Sequence, residues 1–258
     1  MKIHFYKYHG TGNDFVVIDN RDLTFPKKDT KLVKKLCDRR FGIGGDGLIL
    51  LENDKISDFK MLYFNADGNQ GSMCGNGGRC IVAFAKQLGI IDCETTFRAV
   101  DGEHVARISA DGTISLKMID VDHVQISDNH AFLNTGSPHH VELVTDLRNY
   151  DVVGKGRSIR NSMYGEAGSN VNFIEVQGKD VLDLRTYERG VEDETFACGT
   201  GATAAAIAMH VRGLVGSNVE LNVKGGRLSV SFDEVNGKFV DVFLSGPATF
   251  VFKGEIEC

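Results

Sequence analysis

The sequence predicts an α/β protein of the α+β kind. It should form two pseudo-symmetric domains, each a curved, mainly antiparallel sheet or barrel around a central helix. Three observations carry this expectation. The chain of 258 residues repeats itself at nearly half its length. Each half holds one apolar stretch of helical length, opened by a Cys-Gly-x-Gly turn and closed by glycine. Short β-rich runs joined by two-residue turn signals surround both stretches.

The repeat is read from matched pairs. Thr11-Gly12 and Thr135-Gly136 lie 124 residues apart. The same spacing of 124 separates Cys74-Gly75-Asn76-Gly77 from Cys198-Gly199-Thr200-Gly201, Gly89-Ile90-Ile91 from Gly213-Leu214-Val215, and Asp101-Gly102 from Gly225-Gly226. Asp111-Gly112 and Asn236-Gly237 are 125 apart. Asp58, Leu62 and Gly68 precede Asp180, Leu184 and Gly190 by 122, and a two-residue insertion after Gly190 restores the register. The expected boundaries are 1–118, carrying Cys74 and joined by a C-terminal strand at 247–258, and 119–246, carrying Cys198.

The elements follow in order. Strands are expected at Ile3–Tyr8, Phe15–Asp19, Leu48–Glu52 and Phe59–Phe64 in the first half, and at His139–Val144, Val171–Val176 and Val181–Tyr187 in the second. Asp29 to Arg39 reads as a surface helix, capped by Asp29 or Thr30, with Leu32, Val33, Leu36 and Cys37 on one face. Gly75–Leu88 reads as a helix of about 21 Å, and Gly199–Arg212 is its twin. Gly89 and Gly213 stand where a glycine in the left-handed conformation ends a helix. Ala202–Met209 is apolar on all sides and Ile81–Ala85 nearly so, which places both helices inside a core.

Composition narrows the function. The chain is 42% hydrophobic and 25% charged, with a net charge of −6. That balance argues against nucleic acid as the main partner. No apolar run approaches the roughly 18 residues that span a bilayer, and Met1 to Phe15 does not read as a secretory signal. A cytoplasmic, reducing location with unpaired thiols is expected. The six cysteines form no CxxC pair, so a metal site has little support. Thirty glycines against three prolines cluster in short loops, where backbone can approach a ligand closely. Gly42-Ile43-Gly44-Gly45-Asp46-Gly47 fits the dinucleotide pattern in letters only, because a strand and not a helix follows it. Lys27, Lys28, Lys31, Lys34 and Lys35 read as a solvated helix face. Cys37, Cys80, Cys93 and Cys258 read as inert packing.

Cys74 and Cys198 are different, because the repeat sets one at the start of each buried helix. Backbone N–H groups there are unpaired and carry partial positive charge. They favour a thiolate, and the amides of Gly75-Asn76 and Gly199-Thr200 can hold a carboxylate. If the halves face each other, two cysteines and two amide nests serve one cleft. Such a pair suits inversion of a carbon stereocentre, with a thiolate removing a proton on one face and a thiol delivering one on the other. The helix is not enough by itself. A free thiol of pKa about 8.5 is only about 3% ionised at pH 7, and a helix terminus contributes about 0.3–1 kcal/mol. A polar neighbour must help, and His139 and Glu188 are the candidates.

At these residues the sequence resembles the diaminopimelate epimerases. The matching stretches are Gly10-Thr-Gly-Asn-Asp-Phe15, Arg40-Phe-Gly-Ile-Gly-Gly-Asp46, Asn65-Ala-Asp-Gly68, Met73-Cys-Gly-Asn-Gly-Gly-Arg-Cys80, Asn170-Val-Asn-Phe173, Glu188-Arg-Gly190 and Ala197-Cys-Gly-Thr-Gly-Ala202. The related proline racemases have His where Asn76 stands, and the phenazine-type isomerases of this fold lack the cysteine pair. The resemblance implies a cofactor-independent epimerase that interconverts L,L- and meso-diaminopimelate, with no metal, in a homodimer. It makes Cys74 and Cys198 the acid/base pair, supported by His139 and Glu188. It puts Asn13, Asn65, Asn172, Glu188 and Arg189 on the substrate, with Gly75, Asn76, Gly199 and Thr200 around its reacting carboxylate. Two positions depart from the family pattern: Ser137 stands where Asn is usual, and Gly47 where many members have Gln. Ser137 is kept as a shorter substrate contact. Val191-Glu192-Asp193 also replaces a Gly-rich run. The rival readings are a racemase or epimerase of proline or hydroxyproline, a thiol-disulfide oxidoreductase, and a non-catalytic binding protein.

Overall fold

Parallel strands need a crossover of a dozen or more residues, and this chain spends its helices on those crossovers. The structure, a computed structural model, describes residues 1–71 and 73–258, which divide into two compact units, 1–116 with 246–258, and 117–245.

Unit 1 contains β1 (Lys2–Gly10), β2 (Asn13–Asp19), α1 (Thr30–Cys37), β3 (Gly47–Glu52), β4 (Phe59–Asn65), α2 (Gly75–Gln87), β5 (Glu94–Ala99), β6 (Gly102–Ile108) and β7 (Ile114–Lys117). Unit 2 contains β8 (Val124–Ile126), β9 (His130–Asn134), β10 (Pro138–Leu143), α3 (Val152–Tyr164), β11 (Asn170–Gly178), β12 (Val181–Glu188), β13 (Asp193–Thr195), α4 (Gly199–Val211), β14 (Asn218–Val223), β15 (Gly226–Val235) and β16 (Lys238–Gly246). The last strand, β17 (Thr249–Glu257), returns to unit 1 and pairs antiparallel with β1.

The two units share one wiring. In unit 1 the pairing order is β17-β1-β2-β3-β4-β5-β6-β7, antiparallel except for β2/β3 and β4/β5. In unit 2 it is β8-β9-β10-β11-β12-β14-β15-β16, antiparallel except for β10/β11 and β12/β14. The parallel steps fall at the same places, bridged by α1 and α2 in unit 1 and by α3 and α4 in unit 2. The expected fold class is therefore the observed one.

Each sheet lies between its two helices. On β3, Leu48 and Leu50 pack with Val33 and Leu36 of α1, while Ile49 reaches the α2 side, 3.2 Å from where a Cβ on Gly77 would sit. On β11, Val171 and Phe173 pack with Val152 of α3. Asn170 and Asn172, on the opposite face, point to α4. That helix is buried continuously from Gly201 to Met209, which explains its all-round apolar sequence. The glycines after the two central helices have φ of +69° (Gly89) and +72° (Gly213), the left-handed stop expected of them.

Several expectations need correcting. The surface helix stops at Cys37 rather than Arg39. The Gly-rich loop after it ends it, since the amides of Gly42, Ile43, Gly44 and Gly45 donate to the carbonyls of Asp38, Leu36, Leu36 and Cys37. The loop that imitates a nucleotide motif is a helix stop. Lys27 belongs to the turn before the helix and pairs at 2.8 Å with the buried carboxylate of Glu52. Cys37 and Cys80 are buried as expected, but Cys93 and Cys258 are exposed. Helix α3 and strands β8, β9 and β13 have no counterpart among the predicted elements.

Helix α3 sits very close to β12: a Cβ on Gly156 would lie 2.4 Å from Cβ of Tyr187, which is fully buried. Gly156→Ala should therefore cost about 1–3 kcal/mol through overpacking, read as a lowered Tm. Gly178→Ala in β11, where a Cβ meets nothing within 4 Å, should leave stability within about 0.5 kcal/mol.

Candidate active site

In unit 1 the site is built on the start of α2. Cys74 is the residue before the helix, in extended conformation (φ −103°, ψ 127°), so the first amides of the helix, which have no acceptor within it, belong to Gly75 and Asn76. Cys74 is partly exposed and Asn76 is buried. The Asn76 amide is oriented from both ends: Oδ1 accepts from Arg79 Nη2 at 2.8 Å, and Nδ2 donates to Asn13 Oδ1 at 2.6 Å. Asn13 in turn donates to Asp46 Oδ2 at 3.1 Å, which leaves one N–H of its amide for a ligand. Asp46 shares Arg39 with Asp14, and Asp14 also binds buried Lys7 at 2.6 Å. Burial raises the Asp14 pKa, but hydrogen bonds from Arg39 and Lys7 outweigh it and hold the group down at about 2. Asn65 is exposed at the end of β4, its Oδ1 3.0 Å from where a Cβ on Gly71 would sit. At Gly47 the space for a side chain is filled: a Cβ would lie 2.5 Å from the Tyr63 ring and 2.6 Å from the Phe64 carbonyl.

The Thr-Gly repeat now has a physical reading. Thr11 Oγ1 lies 3.4 Å from Asn76 Oδ1, and Thr135 Oγ1 donates to the Thr200 carbonyl at 2.8 Å. Each threonine ties a hairpin turn to the second residue of its unit's central helix.

In unit 2 the site is built on the start of α4. Cys198 precedes the helix in the same extended conformation (φ −117°, ψ 112°). It is buried, with Sγ 3.4 Å from Thr200 Oγ1. His139 on β10 is fully buried. Its Nδ1 accepts from Asn172 Nδ2 at 3.0 Å, and that amide is fixed by donating also to His140 O at 2.9 Å and accepting from Thr186 Oγ1 at 3.0 Å. Nδ1 is thus an acceptor and the ring proton sits on Nε2. Burial first, then the charge of Arg189, push the His139 pKa down to about 3. The His139 Nε2 lies 3.4 Å from Asn170 Nδ2, and at neutral pH the ring is uncharged, so it cannot support a thiolate as a cation.

Arg189 and Ser137 stand together. Arg189 donates from Nη1 to Ala167 O at 2.7 Å and from Nη2 to Ser137 Oγ at 3.5 Å. Its backbone N–H donates to Asn170 Oδ1 at 2.9 Å, and Asn170 Nδ2 donates to Ser137 Oγ at 3.1 Å. Glu188 ends β12, partly buried. Asn172, which the sequence reading puts on the substrate, is fully buried and holds Thr186, His139 and His140. Asn170 is the amide beside Arg189, and sequence reasoning missed it. Both side chains share one strand face, because residues two apart on a strand point the same way, and both are buried; their partners separate them.

The sequence reading also missed Glu192. It occupies a left-handed position (φ +59°) in the run that departs from the family pattern. Its Oε1 accepts from Gly190 N at 3.1 Å and Arg160 Nε at 3.2 Å, and its Oε2 accepts from Tyr187 OH at 2.8 Å. Its own N–H donates to Glu188 O at 2.8 Å. One carboxylate thereby closes the Glu188-Arg189-Gly190 turn onto α3. A cavity of about 660 Å³ beside Glu142, Tyr150 and Glu175 contains none of the site residues. Both of its carboxylates are engaged, Glu175 with the amides of Asp146 and Leu147 and Glu142 with His140.

Comparison with solved structures gives the fold. The fold is that of a PhzF-family phenazine biosynthesis protein from Bacillus anthracis (TM-score 0.77, 15% identity, 100% of both chains) and of a predicted epimerase from Pseudomonas aeruginosa (TM-score 0.71, 15% identity, 99% of both chains). A hydroxyproline epimerase from Agrobacterium vitis shares it at TM-score 0.65 and 16% identity, over 99% of this chain and 92% of that one. Sequence comparison then narrows that fold to one family. The profile described as diaminopimelate epimerase matches residues 5–124 and 131–251. The diaminopimelate epimerase of Flavobacterium psychrophilum is 60% identical over 97% of this chain and 99% of its own. That of Chlorobaculum tepidum is 44% identical over 96% and 98%. The chain belongs to the diaminopimelate epimerase family, and it is an isomerase.

Two outcomes follow from this geometry. The imidazole resonances of His139 should show the neutral Nε2–H form and no titration from pH 8 to 5 in a ¹⁵N-edited spectrum. The unfolded chain takes up a proton at this residue below about pH 6.5. The neutral ring's contribution to stability is therefore full above that pH and is lost as pH falls toward 3. Glu192→Ala should free the Arg189 turn and raise KM about tenfold, or ~1.4 kcal/mol of binding, with kcat changed less than about threefold. Glu192→Gln, which keeps two acceptor contacts, should fall between.

Proposed function

We propose that this protein interconverts L,L- and meso-diaminopimelate with two thiols and no bound cofactor. One observation carries the reading: both units set a cysteine, in extended backbone, immediately before a buried helix that begins with glycine. In one direction a thiolate takes the α-hydrogen as a proton, becoming a thiol, and leaves a carbanion. The second thiol delivers its proton to the opposite face and becomes the thiolate. No net proton is consumed, and the same pair runs the reverse direction with roles exchanged. Helix-start amides favour the carboxylate at the reacting carbon, where charge builds as the proton leaves.

The distal end of a diamino diacid carries both charges. Arg189 supplies the cation for its carboxylate, and Glu188, Ser137 and the Asn170 carbonyl are acceptors suited to its ammonium. In this reading Asn170 takes the contact expected of Asn172, while Asn172 fixes the His139 ring. Asn13 and Asn65 remain the contacts proposed from unit 1.

We also propose a homodimer, in the cytoplasm. Strand β17 pairs antiparallel with β1. It exposes Phe250, Val251 and Phe252, the composition of an edge that a second copy covers. No helix among the described residues is long and apolar enough to cross a membrane.

The test is incubation with L,L-diaminopimelate in D2O with reductant, following the α-proton by NMR. The expected result is deuterium incorporation with formation of the meso isomer, lost in Cys74→Ser and in Cys198→Ala. Exchange with proline but not with diaminopimelate would assign the protein to a different substrate. Thiol turnover without exchange would make it a redox enzyme. Light scattering should give twice the chain mass, reduced to the single chain by Phe250→Glu with Phe252→Glu.

A further inference from the structure

Arg79 lies in the second turn of α2 and is completely buried. Its guanidinium reaches back toward the helix start, as helical side chains do. Nη2 donates to Asn76 Oδ1 at 2.8 Å and to Thr11 Oγ1 at 3.0 Å, and Nε donates to the Pro247 carbonyl at 3.4 Å. Nη1 is buried with no hydrogen-bond partner among the described residues. All three acceptors are neutral, and Arg79 forms no ion pair with the described residues. A buried cation without an ion pair is costly unless an anion shares its surroundings.

The neighbouring elements hold few candidates for that anion. On β1, Lys7 is committed to Asp14, Tyr8 bonds Gln87 at the far end of α2, and His9 carries no negative charge. On β2, Asp14 is bound by Lys7 and Arg39, and Asp19 by Arg21. Glu52 of β3 is bound by Lys27, and Lys60 and Tyr63 of β4 are a cation and a phenol. In the adjoining loop Asp46 is bound by Arg39 and Asn13. Within α2, burial drives the Cys80 thiol up, away from ionisation. The other thiol is Cys74, the residue immediately before the helix start that the guanidinium faces through Asn76 and Thr11.

The repeat sharpens the point. Arg79 corresponds, at the spacing of 124, to Thr203, whose hydroxyl bonds the Gly199 carbonyl at 3.1 Å. The start of α4 thus has the same amides and no cation within its own helix. We propose that Arg79 is the buried counter-cation of Cys74, so that at rest the thiolate of the cysteine pair is Cys74 and the thiol is Cys198. The inference rests on the two-thiol reading and deepens it by placing the resting proton. Arg79 acts on the reaction through Cys74 and Asn76, as a positioning residue.

The experiment is site-resolved alkylation with iodoacetamide across pH 5–10, read by peptide mass spectrometry on reduced protein. Exposed Cys93 is the internal reference. In the wild type, Cys74 should label with a midpoint below those of Cys198 and Cys93. Arg79→Met should raise the Cys74 midpoint by about one unit, slowing its labelling at pH 7 about tenfold, with Cys93 unmoved. Arg79→Lys, which keeps the charge, should restore most of the shift. A Cys74 midpoint at or above that of Cys198 in the wild type overturns the proposal, and this arm needs no variant to fold. A folded Arg79→Met with an unmoved Cys74 profile overturns it as well. Deuterium exchange on the same wild-type sample separates the two claims. Exchange with an unshifted Cys74 removes the role of Arg79 and keeps the epimerase. A shifted Cys74 without exchange of any amino acid removes the epimerase reading and leaves the charge pairing.

Discussion

Helix α4, apolar on every side, has only its ends for polar chemistry, and much of this structure follows from burying it and its counterpart α2. The sheet that wraps each one shields its body from water, while the first amides, lacking partners within the helix, stay available at a glycine-lined opening. The cysteine before each helix is held by extended backbone. The glycine after it admits close approach of another group. A surface helix with the same sequence motif would offer its amides to water and gain little selectivity for an anion.

The two openings share geometry but not dielectric character. Around α2 the supporting groups are charged: Lys7, Asp14, Arg39, Asp46 and Arg79 form a chain in which all but Arg79 are paired by an opposite charge. Around α4 the groups closest to the helix are neutral amides, hydroxyls and an uncharged imidazole. Duplication supplied one scaffold twice, and the fillings then diverged.

Much of this was legible in the sequence where local physics decides. The glycines after the helices, the Asp29 cap and the spacing of the repeat are set by backbone conformation within a few residues, and they came out as read. Helix α3 was not, because only Val152 and Gly156 of its thirteen residues are buried, too few to print a helical period. The Gly42–Gly45 loop shows the converse: its letters suited two roles, and only the tertiary placement of α1's last carbonyls chose between them. Asn170 and Asn172 lie one pleat repeat apart and differ in their partners, Arg189 and Ser137 against His139 and Thr186, which no one-dimensional pattern encodes. Arg79 was visible only as a letter in a motif, since its burial depends on Thr11 and Pro247, 68 and 168 residues away in sequence.

The return of β17 to β1 has a consequence for how the protein is made. Residues 117–245 are continuous and include every strand of unit 2. Unit 1 lacks the strand that covers its β1 edge until residues beyond 246 have been synthesised. On the ribosome the first half to emerge is therefore the last to be completed, and the β1 edge must stay unpaired through the translation of the entire second half.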